Sequence, residues 1–447
     1  MARKVFISFL GTGLYKDCKY ARGNFISNDV RFIQEVTLDY IGARDWTSND
    51  AIYILLTSAA REKNWENDGQ KKCGTQETIK QIGLGERLKA MQLSAKVNDI
   101  SVTDGNDEMK IMSLFMTMYD LLEVDDELYL DITHAFRYLP MLMVVLGNYA
   151  KFLKNVTIKS ITYGNWEGRD QATDIAPIED LTIYSTLLDW TAATADFLTS
   201  GSAKRLQQLG ESNLKPILRP ILKELRGSDK ATSALNSFTS KLDDVVNDFK
   251  LCRGIPITQG RTIRLLRDNI KEAIDSTVNT PLKPIIELIG NEFDPYGKDD
   301  ILNGMRAARW CLDRGMYQQA ATMMQETIVS IVCNEAAIDI DNESQRQLVN
   351  MAFKFAKEST PESDWKCVDE DNLSTVRTLL DNKYIKNPDL QDIFSFLADV
   401  RNSINHFGMR QNKESADKLV NNIVALLGRI EQILGKGDEL EQELMKV

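Results

Sequence analysis

Arg401 and His406 are the two residues of this sequence best suited to chemistry on a phosphate. The chain has 447 residues and two histidines, and His406 lies in the stretch "ADVRNSINHFGMR" (398–410), which ends a helical pattern. Imidazole titrates near neutrality, so a histidine can move the proton of a ribose 2′-hydroxyl or of a leaving oxygen. A guanidinium can stabilise the negative charge of a phosphorane. Such a pair suits cleavage of RNA without a metal ion.

The spacing of this pair limits how the two side chains can meet. Five positions on a regular helix separate two residues by about 7.5 Å along the axis and by about 140° around it. A second copy of the helix facing the first would bring the side chains of both copies together. The spacing alone is a weak signal. The alternative interpretation is a helix C-terminus, where His406 and Arg410 complement the helix dipole before Gly408 ends the helix.

The other histidine follows a strand pattern in "LYLDITHAFRYLP". Thr133, His134 and Arg137 offer a hydroxyl, an imidazole and a guanidinium to an anionic ligand. The alternative interpretation is a helix N-cap, in which Thr133 or Asp131 caps a helix that begins near Arg137 and is opened by residues 138–140.

A glycine loop follows the first strand pattern, in "SFLGTGLYK". The backbone at Gly11, Thr12 and Gly13 can approach a phosphate closely and offers N–H and hydroxyl donors. The dinucleotide fingerprint requires a third glycine where this chain has Lys16, so the loop of a standard Rossmann oxidoreductase is disfavoured. A glycine pair also fits a plain tight turn.

Two kinds of structural element, predicted from the apolar patterns of the sequence, must position these residues. Up to about residue 185, β-rich runs alternate with amphipathic helical segments, and the predicted strands are 4–10, 51–57, 99–103, 127–133 and 156–164. This βαβ alternation predicts an open parallel sheet covered by helices, with ligands at the carboxyl ends of the strands. After residue 185 the patterns are helical. We therefore expect an α/β domain at 1–185, a helical middle region at 186–300 and a second helical domain at 301–447.

Composition narrows the classes of protein. The net charge of -11 argues against binding nucleic acid through a broad basic surface, although a local pocket can still hold a nucleotide. The six cysteines show no CxxC pair or zinc spacing, so we expect no metal site. No apolar stretch reaches the roughly 18 residues of a membrane helix, and we expect a cytoplasmic protein that makes no membrane contact.

The stretches "ISFLGTGLYKDCKY", "DITHAFRYLP" and "RNSINH" together resemble the CRISPR-associated CARF-HEPN ribonucleases of type III systems. The resemblance covers almost the whole chain and is least informative at about 190–300. It implies that residues 1–185 form a Rossmann-like CARF domain that binds cyclic oligoadenylate, with cyclic tetra-adenylate the favoured activator. It also implies that residues 301–447 form a HEPN domain, a metal-independent endoribonuclease acting on single-stranded RNA. No cofactor is implied.

The resemblance also implies roles for individual residues. By position, Gly11, Thr12 and Gly13 match the first ligand loop, and Thr133, His134 and Arg137 match the second. Arg401, Asn402 and His406 match the RNxxxH nuclease motif, with Asn402 orienting a partner group. One departure is Ala135, where many relatives carry glycine, and this affects how closely the backbone approaches the ligand.

The same resemblance predicts a homodimer or a higher homo-oligomer. A ring-shaped ligand with two-fold symmetry would bind across a two-fold interface, and Arg401 and His406 of both chains would form one composite cleft.

The sequence is also compatible with two other classes of function. A nucleotide-sensing regulator without catalysis would bind DNA or a protein through its helical half, for which "RGIPITQGRTIRLLRDNIK" (253–271) offers a local basic cluster. An enzyme acting on a small nucleotide would use the α/β half, but it would need the complete glycine fingerprint that the sequence lacks.

Overall fold

The computed structural model describes residues 2–72, 77–105, 107–134, 138–212, 214, 218, 225–278, 280–406, 409 and 415–435. The chain divides into two compact units, Met1–Leu188 and Asp189–Val447.

The first unit is built on an eight-stranded sheet in the order β3-β2-β8-β7-β6-β1-β4-β5. Its strands are β1 (Lys4–Leu10), β2 (Lys19–Arg22), β3 (Phe25–Ile26), β4 (Ala51–Leu56), β5 (Lys96–Ser101), β6 (Glu127–Asp131), β7 (Thr157–Gly164) and β8 (Ile175–Asp180). Strands β5, β4, β1, β6 and β7 are neighbours and parallel. The predicted parallel sheet is confirmed, because these are the same five strands that the sequence pattern indicated.

Three strands were missed by the sequence analysis. β2 and β3 are short, with four and two residues, and the six-residue β8 contains Pro177, which is uncommon inside a strand. β7 pairs with β8, and β2 with β3, in antiparallel orientation, so the sheet is mixed at this end. A few residues without a continuous apolar run give too little pattern to predict a strand.

Apolar layers cover both faces of the sheet because β1 is buried on both sides. Val5, Ile7 and Phe9 pack with α4 and α5, whereas Phe6 and Leu10 face a second cluster that includes α1 and α3. Successive side chains of a strand point to opposite faces, so an uninterrupted apolar strand requires helices on both sides. The helices are α1 (Ile33–Tyr40), α2 (Ser58–Ala60, continued by a π-helix at Arg61–Trp65), α3 (Leu84–Ala90), α4 (Glu108–Asp120) and α5 (Leu139–Lys154).

The described part of the second unit is helical and contains no strand. Its helices are α6 (Thr182–Ser200, which begins in the first unit), α7 (Lys204–Glu211), α8 (Leu225–Lys250), α9 (Gly254–Gln259), α10 (Arg261–Ser276), α11 (Lys283–Asn291), α12 (Asn303–Asp313), α13 (Tyr317–Glu335), α14 (Glu343–Glu358), α15 (Leu373–Leu380), α16 (Pro388–Asn405) and α17 (Ala416–Ile433). Within the described ranges, no helix combines the length and apolar composition needed to cross a membrane.

Helix α13 is the centre of the C-terminal part of this unit. It packs against α12, α14, α16 and α17, and apolar residues such as Met324, Ile328 and Val332 are buried along it. A short connection separates α12 from α13, since α12 ends at Asp313 and α13 begins at Tyr317.

Local sequence fixes where α16 begins. The Asn387 side chain accepts a hydrogen bond from the Leu390 backbone N–H at 3.1 Å, and Pro388 occupies the first turn. An asparagine cap followed by proline is a strong helix start, since both satisfy or remove backbone donors that have no partner in the helix. The cap therefore sets the register that carries Arg401 and Asn402 to the other end of α16.

Close packing of α12 on α13 depends on Gly304. A Cβ at this position would overlap the hydroxyl of the buried Thr327 in α13. We expect Gly304→Ala to destabilise the second unit by about 1–3 kcal/mol, because overpacking outweighs the better helix propensity of alanine. Urea unfolding followed by circular dichroism measures this change.

The matched control for that substitution is Gly428→Ala in α17, where an added Cβ meets no atom within 4 Å. It should be neutral or stabilise by up to about 1 kcal/mol. Equal unfolding midpoints for the two variants would contradict the packing argument.

Candidate functional site

The carboxyl ends of β1 and β6 bring two predicted loops together. These strands are parallel neighbours, with Ser8 opposite Asp131, so the loop that starts at Gly11 and the segment that starts at Thr133 leave the same edge. A Cβ added at Gly11 would lie 3.8 Å from the Cβ of His134. The structure therefore places the glycine loop beside Thr133 and His134.

A buried carboxylate holds this edge. Asp131 Oδ2 accepts a hydrogen bond from Ser8 Oγ at 2.8 Å, and Asp131 Oδ1 accepts from the Thr133 hydroxyl at 2.6 Å and from its backbone N–H at 3.1 Å. Burial raises the pKa of Asp131, and the hydrogen bonds from Thr133 and Ser8 act in the opposite direction. The carboxylate thus connects the two strands at the point where their loops begin.

Thr133 has a structural part in this arrangement. Its hydroxyl donates to Asp131 and also accepts from the Gly164 backbone N–H at 2.8 Å. A hydroxyl has one proton, so in this state Thr133 has no O–H left to donate to an anionic ligand and can only accept.

The alternative interpretation of this segment, a helix N-cap at Thr133 or Asp131, is wrong. Helix α5 begins at Leu139 with Tyr138 as its cap residue, and Asp131 accepts from Thr133 instead of capping the helix. Arg137 and Ala135 lie outside the described residues.

Two side-chain amides fix the glycine loop. Asn64 Nδ2 donates to the carbonyl oxygens of Gly11 at 2.9 Å and Gly13 at 2.8 Å. Gln70 Nε2 donates to Gly13 O at 3.0 Å and to Asn64 Oδ1 at 3.0 Å. Both amides are buried and were not predicted, because they lie more than fifty positions from the loop.

Tyr15 covers the loop donors. Its ring stacks on His134 with centroids 4.2 Å apart, and its phenol oxygen receives hydrogen bonds from the backbone of Gly11 and Gly13. Burial raises the pKa of Tyr15, so the phenol is neutral at physiological pH. The N–H groups predicted to hold a phosphate therefore serve the Tyr15 hydroxyl in this structure. Tyr15 follows the glycine loop in the chain, but no sequence pattern predicted its role.

A cavity of about 350 Å³ opens next to these residues. Thr133 and His134 line it, together with the rings of Tyr15, Tyr20, Tyr163 and Trp166 and the charged side chains of Lys16, Arg31 and Glu167. Its volume falls in the range of small-molecule sites, roughly 300–1,000 Å³. Aromatic rings can stack on nucleobases, and cationic groups can contact phosphate. Most of these lining residues were not predicted, because they come from separate loops and strands.

His134 is neutral at physiological pH. Burial lowers the pKa of its imidazole from 6.5 to about 4, and the charge of Glu167 acts in the opposite direction. The ring can therefore donate one N–H to an anion without carrying a positive charge.

The second predicted site lies at the end of α16. Arg401 and Asn402 are in its last turns, and His406 is the C-cap residue, whose backbone N–H donates to Asn402 O at 3.0 Å. His406 is exposed, and the Arg401 side chain retains 31% of its accessible surface. Helix α16 continues up to His406, its C-cap residue. The alternative interpretation, in which His406 lies at a helix C-terminus, agrees with the structure in this respect. Gly408 and Arg410 lie outside the described residues.

Arg401 has a partner that the sequence did not indicate. Its Nη1 lies 3.3 Å from Oε1 of Glu326 in α13. Seventy-five positions separate the two residues, and only the packing of α13 on α16 makes them neighbours.

Within the described ranges, no group of three or more His, Cys, Asp or Glu side chains is placed to hold a metal ion.

The geometry defines a protein of two units. One is a Rossmann-like α/β unit with a cavity of about 350 Å³ at the carboxyl edge of its sheet, and the other is helical. No protein-family profile matches the chain. The chain is similar to the CRISPR-associated protein MJ1674 of Methanocaldococcus jannaschii, with 25% identity over 220 residues. The match covers 49% of this chain and spans 31% of that protein. This partial similarity supports a relationship to CRISPR-associated proteins.

The protonation of His134 gives a direct test of its environment. In the His406→Ala variant one histidine remains, so a single imidazole signal should titrate in the NMR spectrum with a midpoint at about 4. The unfolded chain takes up this proton near 6.5 and the folded chain only near 4, so this group destabilises the folded state increasingly as the pH falls through that interval. A midpoint near 6.5 would show that the imidazole is solvated.

Proposed function

We propose that this chain is a cyclic-oligoadenylate-activated, metal-independent endoribonuclease that cleaves single-stranded RNA in type III CRISPR antiviral defence. In this proposal the first unit is a CARF sensor domain, and the C-terminal part of the second unit is a HEPN nuclease domain. The observation that carries the proposal is the position of His406. Its side chain is exposed at the end of α16, and the half-buried Arg401 lies in the last turns of the same helix.

The cavity of the first unit supports the sensor function. Aromatic rings on its walls suit adenine bases, and Lys16, Arg31 and the neutral N–H of His134 suit phosphates. Local donors of this kind allow a protein of net charge -11 to bind a nucleotide. The similarity to a CRISPR-associated protein agrees with this class of ligand. Cyclic tetra-adenylate is the proposed activator.

The end of α16 supports the nuclease function. His406 would take the proton of the ribose 2′-hydroxyl or give one to the leaving 5′-oxygen, and Arg401 would stabilise the phosphorane. Asn402 would orient a partner group. Because the nucleophile is the neighbouring 2′-oxygen, the products are a 2′,3′-cyclic phosphate and a 5′-hydroxyl. DNA lacks this nucleophile and should resist cleavage.

Two protomers complete the proposed active site. Cleavage needs both a base and an acid, and the described end of α16 supplies one imidazole per chain. Two facing copies supply two, and they also overcome the angle of about 140° between Arg401 and His406 on one helix. Activator binding would shift the two chains and bring the pairs into register, so that cleavage is slow without the ligand.

An exposed apolar face on the first unit supports this dimer. Helices α4 and α5 pack side by side, and large apolar side chains at helical spacing point away from the core. They are Met109, Met112 and Met116 on α4 and Met141, Val145, Tyr149 and Phe152 on α5, with 43–89% of their surface exposed. A continuous apolar face of this kind is typical of an interface, and we assign it to a second copy of the chain.

The basic segment 253–271 gives little support to the alternative, a regulator that binds DNA. Arg267 donates to the Phe293 carbonyl oxygen at 2.9 Å, and Arg253 pairs with Asp248 at 3.6 Å. Part of the cluster therefore has structural roles, and acidic side chains lie beside it.

Cleavage of labelled single-stranded RNA tests the proposal. The unaltered chain should cleave only with a cyclic oligoadenylate and equally well with a metal chelator present. His406→Ala should lower the rate by about 10²–10⁴-fold, as expected for loss of general acid–base catalysis, and should still bind the activator. Cleavage at the same rate without any activator would contradict the proposed sensor function. Cleavage by His406→Ala at the rate of the unaltered chain would contradict the proposed nuclease site.

Disruption of the α4–α5 face tests the dimer. Val145→Glu places one carboxylate in the middle of this face, and we expect sedimentation analysis to show monomers and activated cleavage to fall. Gln92→Glu is the matched control, because it adds the same charge at an exposed position just after α3, which packs on the opposite face of the sheet. A Val145→Glu variant that sediments as the unaltered dimer would show that this face is not the interface.

A further inference from the structure

Three charged side chains from three helices form one linked set in the second unit. They are Glu326 on α13, Arg346 on α14 and Arg401 on α16. We infer that Glu326 is a positioning residue for Arg401, and that Arg346 holds Glu326 in place. This inference rests on the proposed nuclease function, because it concerns the orientation of a guanidinium that would stabilise the phosphorane.

The Glu326 carboxylate divides its two oxygens between the two arginines. Oε1 lies 3.3 Å from Arg401 Nη1, and Oε2 lies 2.8 Å from Arg346 Nη2. A carboxylate held at one oxygen by a fixed cation cannot rotate freely about its terminal bond. The other oxygen therefore presents a defined position to Arg401.

Arg346 is suited to be the fixed member of the set. Its Nη1 donates to Ser330 Oγ at 2.9 Å and to the Ile340 carbonyl oxygen at 3.3 Å, and its Nη2 also donates to the Glu326 carbonyl oxygen at 3.1 Å. Its side chain is 19% exposed. These contacts attach Arg346 to α13 and to the connection between α13 and α14, independently of Arg401.

Part of the Arg401 side chain remains accessible to a ligand, since 31% of it is exposed. A guanidinium has five N–H donors, and Glu326 approaches one terminal nitrogen from one side. The set contains two positive charges and one negative charge, so Arg401 is oriented while the set remains cationic.

Because Glu326 and Arg401 are partly exposed, an effect on the position of Arg401 can be distinguished from an effect on protein stability. The Glu326 side chain is 41% exposed and that of Arg401 is 31% exposed, and ion pairs at such positions contribute little to folding. A change that removes the Glu326 charge should therefore leave the fold intact. If Glu326 positions Arg401, the loss should appear in the chemical step of RNA cleavage.

Glu326→Gln is the first test, since it keeps the shape of the side chain and removes its charge. We expect kcat of activated RNA cleavage to fall by about 10–100-fold, because a small misplacement of a catalytic group costs up to this much, while KM changes less than about threefold. The matched control is Glu335→Gln, which removes a carboxylate on the same helix that pairs with Lys383 at 2.6 Å. The control should keep the kcat of the unaltered chain, and both variants should melt at similar temperatures.

Chemical rescue separates positioning from a structural role. In Arg401→Ala, millimolar guanidinium ion should restore part of the cleavage rate by occupying the vacated position beside Glu326. The double variant with Glu326→Gln should show no rescue, and without guanidinium it should be no slower than Arg401→Ala alone.

The outcomes distinguish this inference from the function on which it rests. Equal kcat for Glu326→Gln and Glu335→Gln would overturn the positioning role and leave the nuclease function standing. A fall in kcat for Glu326→Gln with unchanged guanidinium rescue in the double variant would also overturn it. Absence of RNA cleavage by the unaltered chain with every cyclic oligoadenylate would overturn the proposed function, and this inference with it.

Discussion

The buried carboxylate of Asp131 is the interaction on which the architecture of the first site depends. It lies at the end of β6 and accepts hydrogen bonds from Ser8 on β1 and from Thr133 in the following loop. Gln34 extends the network, since its amide donates to Phe9 O at 2.8 Å and to Ser8 Oγ at 3.2 Å. A buried carboxylate is stable only when such donors surround it, so the loops that provide them are fixed relative to the sheet.

This network fixes the segments that surround the cavity. Asp131 sets the segment that contains His134, while Asn64 and Gln70 bind the carbonyl oxygens of the glycine loop. The Tyr15 hydroxyl then lies against the backbone of the glycine loop, and the Tyr15 ring stacks on His134.

In the second unit, helix packing positions the side chains of the second predicted site. The central helix α13 packs against both α14 and α16, and its Glu326 reaches side chains of each. The end of α16 therefore carries a guanidinium whose orientation depends on two other helices, followed by an exposed imidazole. A single helix end of this kind offers an incomplete set of groups for acid–base chemistry, and a symmetric partner would complete the set.

The amino-acid sequence by itself determined the elements with strong periodicity. The five parallel strands, the helical character of the chain after residue 185 and the start of α5 within residues 138–140 all follow from apolar spacing and from proline, because these signals are local. The same reasoning selected Thr133, His134, Arg401 and His406. It failed for β2 and β3, which are too short to show a pattern, and for β8, whose Pro177 is uncommon inside a strand.

Only the tertiary structure decided which side chains share a site. Asn64, Gln70 and Trp166 reach the first cavity from distant positions, and Glu326 meets Arg401 across 75 residues of sequence. The tertiary structure also assigned the Thr133 hydroxyl proton to Asp131 and buried His134 so that its imidazole is neutral. Hydrogen-bond partners and burial depend on atoms brought together by folding, and no local pattern in the sequence contains that information.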